Sequence, residues 1–219
     1  MSTPDKRLAK HAKHLLEPPP EFLAEKLKLF NTTTAEFSKL DPLLICALRK
    51  MVLIHPTRSK PKLIDIVSHT KAVTPETLDE LKEIVGVPNR AYAKNPRQVP
   101  QLHRVEARTV ATLPATVTVS KLQPEAKQTF FQVSHDLLHG PTDARLLSRS
   151  GYKQTVSAML RGAKRIPVFV APDLIVCDGD EVTFGGYAAL YFNNVIVYGS
   201  GRIRLGTNTK LHAYQIKHV

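Results

Sequence analysis

The sequence predicts an α+β protein in which a helical N-terminal part is followed by a short β-solenoid, that is, a parallel β-helix. Three observations support this prediction. The chain has 219 residues of which 42% are hydrophobic, a proportion typical of a protein with a buried core. Proline-led helical patterns dominate the first 86 residues. Residues 166–219 repeat with a period of 21 residues, as stacked coils of short strands do.

The repeat consists of apolar positions that recur every 21 residues. Alignment by this period places apolar side chains together in the rows Phe169/Leu190/Leu211, Ala171/Phe192/Ala213, Leu174/Val195/Ile216, Val182/Ile203 and Phe184/Leu205. Glu181 then lies opposite Arg202, and we expect a cross-strand ion pair between them. An antiparallel β meander or sandwich is the alternative, since Asn193-Asn194 and Gly199-Ser200-Gly201 are typical of hairpin turns.

The rest of the chain divides into a helical region with a basic arm, residues 1–86, and a region of linker, short strands and capping helices, residues 87–165. In the first region, Asp41-Pro42 predicts the start of a buried helix that ends near Ile54. In the second region, alternating residues predict strands at 104–111 and 115–121. Pro124 and Gly140 predict the start and the end of a helix that follows these strands.

Residues 166–219 resemble right-handed parallel β-helix proteins. Many members of that class bind or cleave acidic polysaccharides on an outward strand face, often with carboxylates, arginines and calcium. The matching residues here are Asp178, Asp180, Glu181, Arg202 and Arg204. The resemblance therefore implies that the three acidic residues are candidate catalytic groups. The two arginines are candidate partner-binding residues.

The composition favours an anionic partner. Lys and Arg together number 31 against 19 Asp and Glu, which gives a formal net charge of +12. Such a charge attracts acidic polymers, membrane surfaces or nucleic acid. The chain has no Trp, and its aromatic residues do not alternate with Lys or Arg as stacking platforms do, so sequence-specific nucleic-acid binding is the less favoured class. Further candidate partner-binding residues lie in the basic arm: Lys6, Arg7, Lys10 and Lys13.

Two other sets of residues suggest chemistry. His135 and His139 have the i, i+4 spacing that places two imidazoles on one helix face, so they are candidate metal ligands. Asp178, Asp180 and Glu181 form an acidic turn, for which a tight turn is the alternative explanation. Cys46 and Cys177 have no C-x-x-C partner, and we expect two buried thiols. Nucleotide-binding loops are absent, and we expect no cofactor.

These observations predict a non-enzymatic binding or assembly module. The last coil ends with Leu211, Ala213 and Ile216 in the inward register, so we expect homo-oligomers that associate through this C-terminal coil. A polysaccharide-active or metal-dependent enzyme is the alternative function, and a nucleic-acid-binding protein is the second. No run of about 18 apolar residues and no secretory signal pattern occurs, so we expect a cytoplasmic protein.

Overall fold

A computed structural model describes residues 9–46, 51–56, 66–94, 119–142, 144–163 and 165–219. The described chain forms two units, one of Met1–Val73 with Ile166–Val219 and one of Thr74–Arg165. The second unit is therefore inserted into the sequence of the first. This partition differs from the three consecutive ranges suggested by the sequence.

Two parallel β-sheets form the centre of the first unit. Their strands are β1 (Leu43–Ile45), β2 (Met51–Ile54), β3 (Thr70–Val73), β4 (Ile166–Val176), β5 (Glu181–Phe184), β6 (Ala189–Val197), β7 (Arg202–Leu205) and β8 (Lys210–His218). Sheet A has the order β1-β4-β6-β8, with β3 antiparallel to β4, and sheet B has the order β2-β5-β7. The long strand β4 pairs with β3 along its first half and with β1 along its second.

The predicted β-solenoid is wrong: the protein is a mixed α/β fold with two parallel sheets. A solenoid is quasi-one-dimensional, because each coil contacts only its neighbours in sequence. Here β1 and β2, from the N-terminal part of the chain, lie beside β4 and β5. The antiparallel meander is not supported either, since residues 189–197 form one strand with parallel neighbours on both sides. The spacing of 21 residues is the register of these parallel ladders, as in the pairs Leu174↔Val195 and Val195↔Ile216.

The predicted buried helix from Asp41 to Ile54 is also wrong, because β1 and β2 occupy its described residues. A short apolar run does not distinguish a buried helix from a buried strand by periodicity alone. Leu43 and Ile45 are buried between the sheets, where pairing with Leu174 and Val176 satisfies their backbone groups. Tertiary pairing therefore decides the conformation of this segment.

The core of the first unit lies between the two sheets. Its centre is aromatic: the ring centroid of Phe184, from sheet B, lies 5.4 Å from that of Phe169 and 5.9 Å from that of Phe192 in sheet A. All three side chains are fully buried. The other members are aliphatic except Tyr187, and they include Leu43, Ile45, Ile54, Leu174, Val176, Val182, Leu190 and Val195.

Two N-terminal helices, α1 (Pro20–Leu29) and α2 (Thr34–Phe37), contribute aromatic side chains that contact Tyr191 of sheet A. Phe30, just after α1, stacks on Tyr191 with centroids 5.6 Å apart, and Phe37 lies 5.9 Å from the same ring. Thr33 begins α2 with a capping box shared with Glu36. A third short helix, α3 (Ile66–His69), leads directly into β3. In α1 itself, Leu27 is buried and Phe22 contacts Tyr214 of β8, so this helix packs on sheet A.

The second unit is helical in its described residues. It contains α4 (Leu78–Val85), α5 (Asn89–Lys94), α6 (Pro124–His139), α7 (Ala144–Leu147) and α8 (Ser150–Gly162). Pro124 at the first position of α6 and Gly140 after it confirm the predicted start and end of this helix. Helix α6 packs against α4 and α8. The strands expected at 104–111 and 115–121 lie outside the described residues, except that Val119–Lys121 forms a 3₁₀ turn.

Candidate functional site

The N-terminal segment before α1 lies against the C-terminal half of β6 and the end of β8 in sheet A. Asn194 of β6 holds it there, because its side-chain amide accepts from the Leu16 N–H at 3.0 Å and donates to the Leu16 carbonyl at 3.1 Å. Farther along the segment, His11 Nδ1 shares a hydrogen bond of 2.9 Å with the Tyr198 hydroxyl. This docking brings His14 beside Lys217, near the C-terminal end of β8.

Docking of the segment assembles a basic cluster, which we define as Lys10, His11, Lys13, His14 and Lys217. The ammonium of Lys217 donates to His14 Nδ1 at 3.1 Å, across 203 residues of sequence. Lys10, Lys13 and Lys217 are all exposed. In the part of the chain that the structure describes, no carboxylate forms an ion pair with any member of the cluster. Within the described ranges, their mutual repulsion is therefore not offset by an ion pair.

The histidine pKa values reflect this crowding. Desolvation lowers the pKa of His14 below 6.5, and the nearby charges of Lys217 and Lys13 lower it further. The pKa of His11 is lowered by desolvation, by His14 and by Lys10. A positive potential of this kind attracts anions, since an anion near the cluster reduces the repulsion.

The two candidate arginines lie on β7, which is an edge strand of sheet B, and both are exposed. The predicted ion pair between Glu181 and Arg202 is wrong. These residues are direct partners in the ladder, but the carboxylate of Glu181 instead contacts Arg204 Nε at 2.8 Å, on the diagonal. Arg204 is thus partly neutralised. Lys6 and Arg7 lie outside the described residues.

The acidic turn has structural contacts. Asp178 accepts hydrogen bonds from the Ser200 N–H at 2.6 Å and the Ser200 hydroxyl at 2.8 Å, and these bonds lower the pKa of its carboxyl. Asp180 is buried, and its carbonyl accepts from the Arg202 N–H. Glu181 forms the ion pair with Arg204. The carboxylates of Asp178 and Glu181 therefore stabilise a turn and a strand pair of the first unit, and Asp180 contributes through its main chain.

His135 and His139 lie together on α6, with ring centroids 4.8 Å apart. His135 Nδ1 also lies 3.5 Å from a carboxylate oxygen of Asp136. Asp143 and His103, which could supply another ligand, are outside the described residues. Among the described residues, the one set of three side chains with metal-ligand spacing lies elsewhere, at His11, Cys46 and Cys177.

The two cysteines form a disulfide, so the expectation of two free thiols is wrong. Cys46 follows β1 and Cys177 follows β4, and the Cys177 N–H donates to the carbonyl of Ile45. Their Cα atoms are 4.9 Å apart. The sequence does not predict this pair, because a helix over residues 41–54 would not place Cys46 beside the strand that ends before Cys177. Assigning β1 as the parallel neighbour of β4 would have placed the two thiols side by side.

Two buried polar groups were also missed. Asp173 of β4 accepts from the Asn194 side chain at 2.6 Å, and burial raises the pKa of this carboxyl. In the second unit, the fully buried Lys82 donates to Asn89, to the Gly140 carbonyl and to Thr142. The chain therefore contains unusual polar groups, but their described contacts are those of structural residues.

The exposed cations of the basic cluster form a surface that attracts anions. Among the described residues, no ion pair offsets the exposed cations of the basic cluster, whereas the carboxylates of Asp178 and Glu181 are used in structural contacts. None of the helices in the described ranges is long and apolar enough to cross a membrane. Comparisons with protein-family models, with curated proteins and with solved structures found no match for this chain.

Proposed function

We propose that this protein is a non-enzymatic binding module that recognises an acidic polymer through its basic cluster. The observation that carries the proposal is the contact between His14 and Lys217. It brings the charges of the N-terminal segment and of β8 together, and no carboxylate of the described residues forms an ion pair with them. The net charge of +12 supports the same partner class, because long-range attraction adds to the local contacts.

An acidic polymer is favoured over a membrane surface. A helix that binds a membrane in the interfacial plane needs a free apolar face. Leu27 of α1 and Phe30 after it are buried within the first unit. Helix α1 thus offers no free apolar face at these two positions, which favours a hydrated polyanion as the partner.

Retention on heparin tests this proposal. The variant K10A/K13A/K217A removes three exposed cations of the cluster, and we expect it to elute at markedly lower salt than the wild type. The control K127A/K153A/R161A removes three exposed cations from the second unit and has the same net charge. Equal elution of the two variants would mean that overall charge, and not this cluster, is responsible.

Vesicles and nucleic acid distinguish the other partners. We expect weaker binding to vesicles of phosphatidylserine and phosphatidylcholine than to heparin. On vesicles, as on heparin, K10A/K13A/K217A should bind more weakly than K127A/K153A/R161A. Stronger vesicle binding would replace the polymer with a membrane surface. Binding to one duplex sequence in preference to a scrambled one would instead indicate a nucleic-acid-binding protein.

Self-association through β8 is a second candidate property. Among the described residues, β8 has a strand partner on one side only, β6. Ile216 is 65% exposed although its ladder partner Val195 is buried, and Leu211 and Ala213 are half-buried. A second copy related by a two-fold axis would present the same three side chains, so the contact would be self-complementary. Light scattering should show a dimer that I216D dissociates, and a monomer at high concentration would exclude it.

We also propose that the protein is located in the cytoplasm. In that compartment Cys46 and Cys177 would be kept largely reduced. Fractionation of cells followed by alkylation of free thiols tests both the location and the state of the cysteines.

A further inference from the structure

Three side chains of metal-ligating type, two cysteines and a histidine, meet at the ends of β1 and β4. They are His11, Cys46 and Cys177, and their ligand atoms all lie within 4.8 Å of one another. Each of the three is half-buried, so the group is accessible to a small ion. The three residues come from distant parts of the chain, since the two cysteines alone are separated by 131 residues.

The backbone holds the two cysteines in one register. Ile45 and Val176 are partners in the parallel ladder, so the next residues on each strand stand side by side. Hydrogen bonding of the Cys177 N–H to the Ile45 carbonyl, at 2.8 Å, continues the ladder to this position. The pair therefore remains adjacent whether or not the sulfurs are bonded to each other.

The third side chain is placed by the docked N-terminal segment. Asn194 anchors the segment at Leu16, and His11 Nδ1 is hydrogen-bonded to the Tyr198 hydroxyl. Tyr198 follows β6, and its N–H donates to the carbonyl of Val176, the residue before Cys177. The imidazole is thus oriented by a group that belongs to the same end of sheet A.

We propose that reduction of the disulfide converts this group into a site for a divalent zinc-class ion, held by Cys46, Cys177 and His11. Thiolate and imidazole are the preferred ligands of zinc, with Zn–S bonds of about 2.3 Å and Zn–N bonds of about 2.0–2.1 Å. Tetrahedral geometry then requires the two sulfurs to lie about 3.8 Å apart. The Cα atoms of the two cysteines, 4.9 Å apart on adjacent strands, place both sulfurs within reach of one ion.

The surroundings of the site suit this role. Metal-bound histidines usually donate their other N–H to a neighbouring oxygen, which fixes the ring. If Nε2 binds the ion, Nδ1–H donates to the Tyr198 hydroxyl, with which it already forms a hydrogen bond. Two thiolates and a neutral imidazole balance the charge of a dication. Three protein ligands leave a fourth position for water.

The reductive step is balanced with a dithiol as reductant. The dithiol transfers two electrons and two protons to the Cys46–Cys177 bond, which breaks to give two thiols, while the reductant closes to a cyclic disulfide. Binding of the divalent ion then displaces the two thiol protons to solvent. The oxidised and metal-bound forms of the site exclude each other, because both use the same sulfur atoms.

Titration of the full chain with Co²⁺ tests the proposal. The protein is reduced with dithiothreitol, freed of reductant under anaerobic conditions and compared with the oxidised protein. We expect one equivalent of Co²⁺ to bind to the reduced form, with an intense thiolate-to-cobalt absorption band. The oxidised form should not show this band. Zn²⁺ should displace the cobalt and abolish the absorption.

Three variants identify the ligands. C46S should lose the charge-transfer band, and H11A should weaken Co²⁺ binding by about tenfold or more while it keeps both thiols. The control H135A/H139A should bind as the wild type does. Circular dichroism establishes that each variant is folded. The proposal would be overturned if the reduced wild type showed no charge-transfer band or if C46S kept the band. Unchanged Co²⁺ affinity in H11A, or loss of the band in H135A/H139A, would also overturn it.

Discussion

Lys82 illustrates how one buried residue can join distant parts of a unit. Its ammonium is fully buried and donates to the Asn89 side chain, the Gly140 carbonyl and the Thr142 hydroxyl at 2.6–2.7 Å. Gly140 follows the C-terminus of α6, where the helix dipole favours a cation. Burial nevertheless lowers the pKa of this lysine. Three acceptors therefore hold this ammonium in place, and one of them, Asn89 Oδ1, also accepts from the Thr142 N–H at 3.0 Å.

Replacement of Lys82 should strongly destabilise the second unit. K82M retains most of the side-chain volume but leaves the acceptors without their donor, at a cost of about 3 kcal/mol in the free energy of unfolding. Urea denaturation measures this change. K127M, on the exposed side of α6, is the control and should change stability by less than about 0.5 kcal/mol. Equal stability of the two variants would show that Lys82 is dispensable.

Asp173 gives the first unit a pH dependence of unusual sign. Because burial raises the pKa of this carboxyl above 3.8, the folded chain retains its proton in a pH range where the unfolded chain has lost it. Its contribution to stability therefore falls as pH rises through that range. D173N keeps an acceptor for Asn194 and removes the charge. We expect D173N to be more stable than the wild type at pH 7, with the difference shrinking toward pH 4 in urea titrations.

A larger advantage of D173N at pH 4 than at pH 7 would contradict this assignment. N194A serves for comparison, because it removes the partner of Asp173 and also the anchor of Leu16. It should be less stable than the wild type at both pH values.

At the scale of elements, helix α4 depends on its N-terminal cap. The Thr77 hydroxyl accepts from the Glu80 N–H at 3.2 Å, and the Glu80 carboxylate accepts from the Thr77 N–H at 3.3 Å. T77A removes half of this capping box and should cost about 1 kcal/mol of unfolding free energy. T77S keeps the hydroxyl and should behave nearly as the wild type in thermal melts. A T77S variant as unstable as T77A would assign the effect to the methyl group.

Elements were predictable where the signal is local. Pro124 and Gly140 delimit α6 because their conformational preferences act at the residues themselves. The region around Leu43 was mispredicted because its conformation depends on β4, more than 120 residues later in the chain. A spacing of 21 residues reveals a register of parallel strands, but it does not reveal which other strands join the same sheet.

The same distinction applies to the candidate sites. Lys10 and Lys13 could be selected from the sequence because they lie in a short basic segment. Lys217 could not, since its place beside His14 exists only after the N-terminal segment has docked on sheet A. The group of His11, Cys46 and Cys177 was missed for the same reason. Each of its members is unremarkable until β1 is assigned beside β4.

At the scale of the whole molecule, the second unit is an insertion between two paired strands. Val73 at the end of β3 and Ile166 at the start of β4 are antiparallel partners, and residues 74–165 connect them. Replacement of 74–165 by Asn-Gly would convert this connection into a two-residue hairpin. We expect the shortened protein to be folded by circular dichroism and to bind heparin as the full chain does.

A matched deletion provides the control. Removal of 70–165 also eliminates β3 and leaves the first half of β4 without its partner, so this protein should melt at a lower temperature. An unfolded product from the first deletion would show that the first unit needs the second.

The closure of β3 on β4 has a consequence for the order of folding. A ladder between strands so distant in sequence forms slowly, because the entropy of closing a long loop must be overcome before any contact is gained. The two ends of the insertion meet again within the second unit, where the Arg165 N–H donates to the Thr74 hydroxyl at 3.4 Å. If the helices between them form early, they shorten the effective loop to a few residues. The helical insertion then acts as the turn of a hairpin, and its own folding rate limits how soon the parallel sheets can assemble.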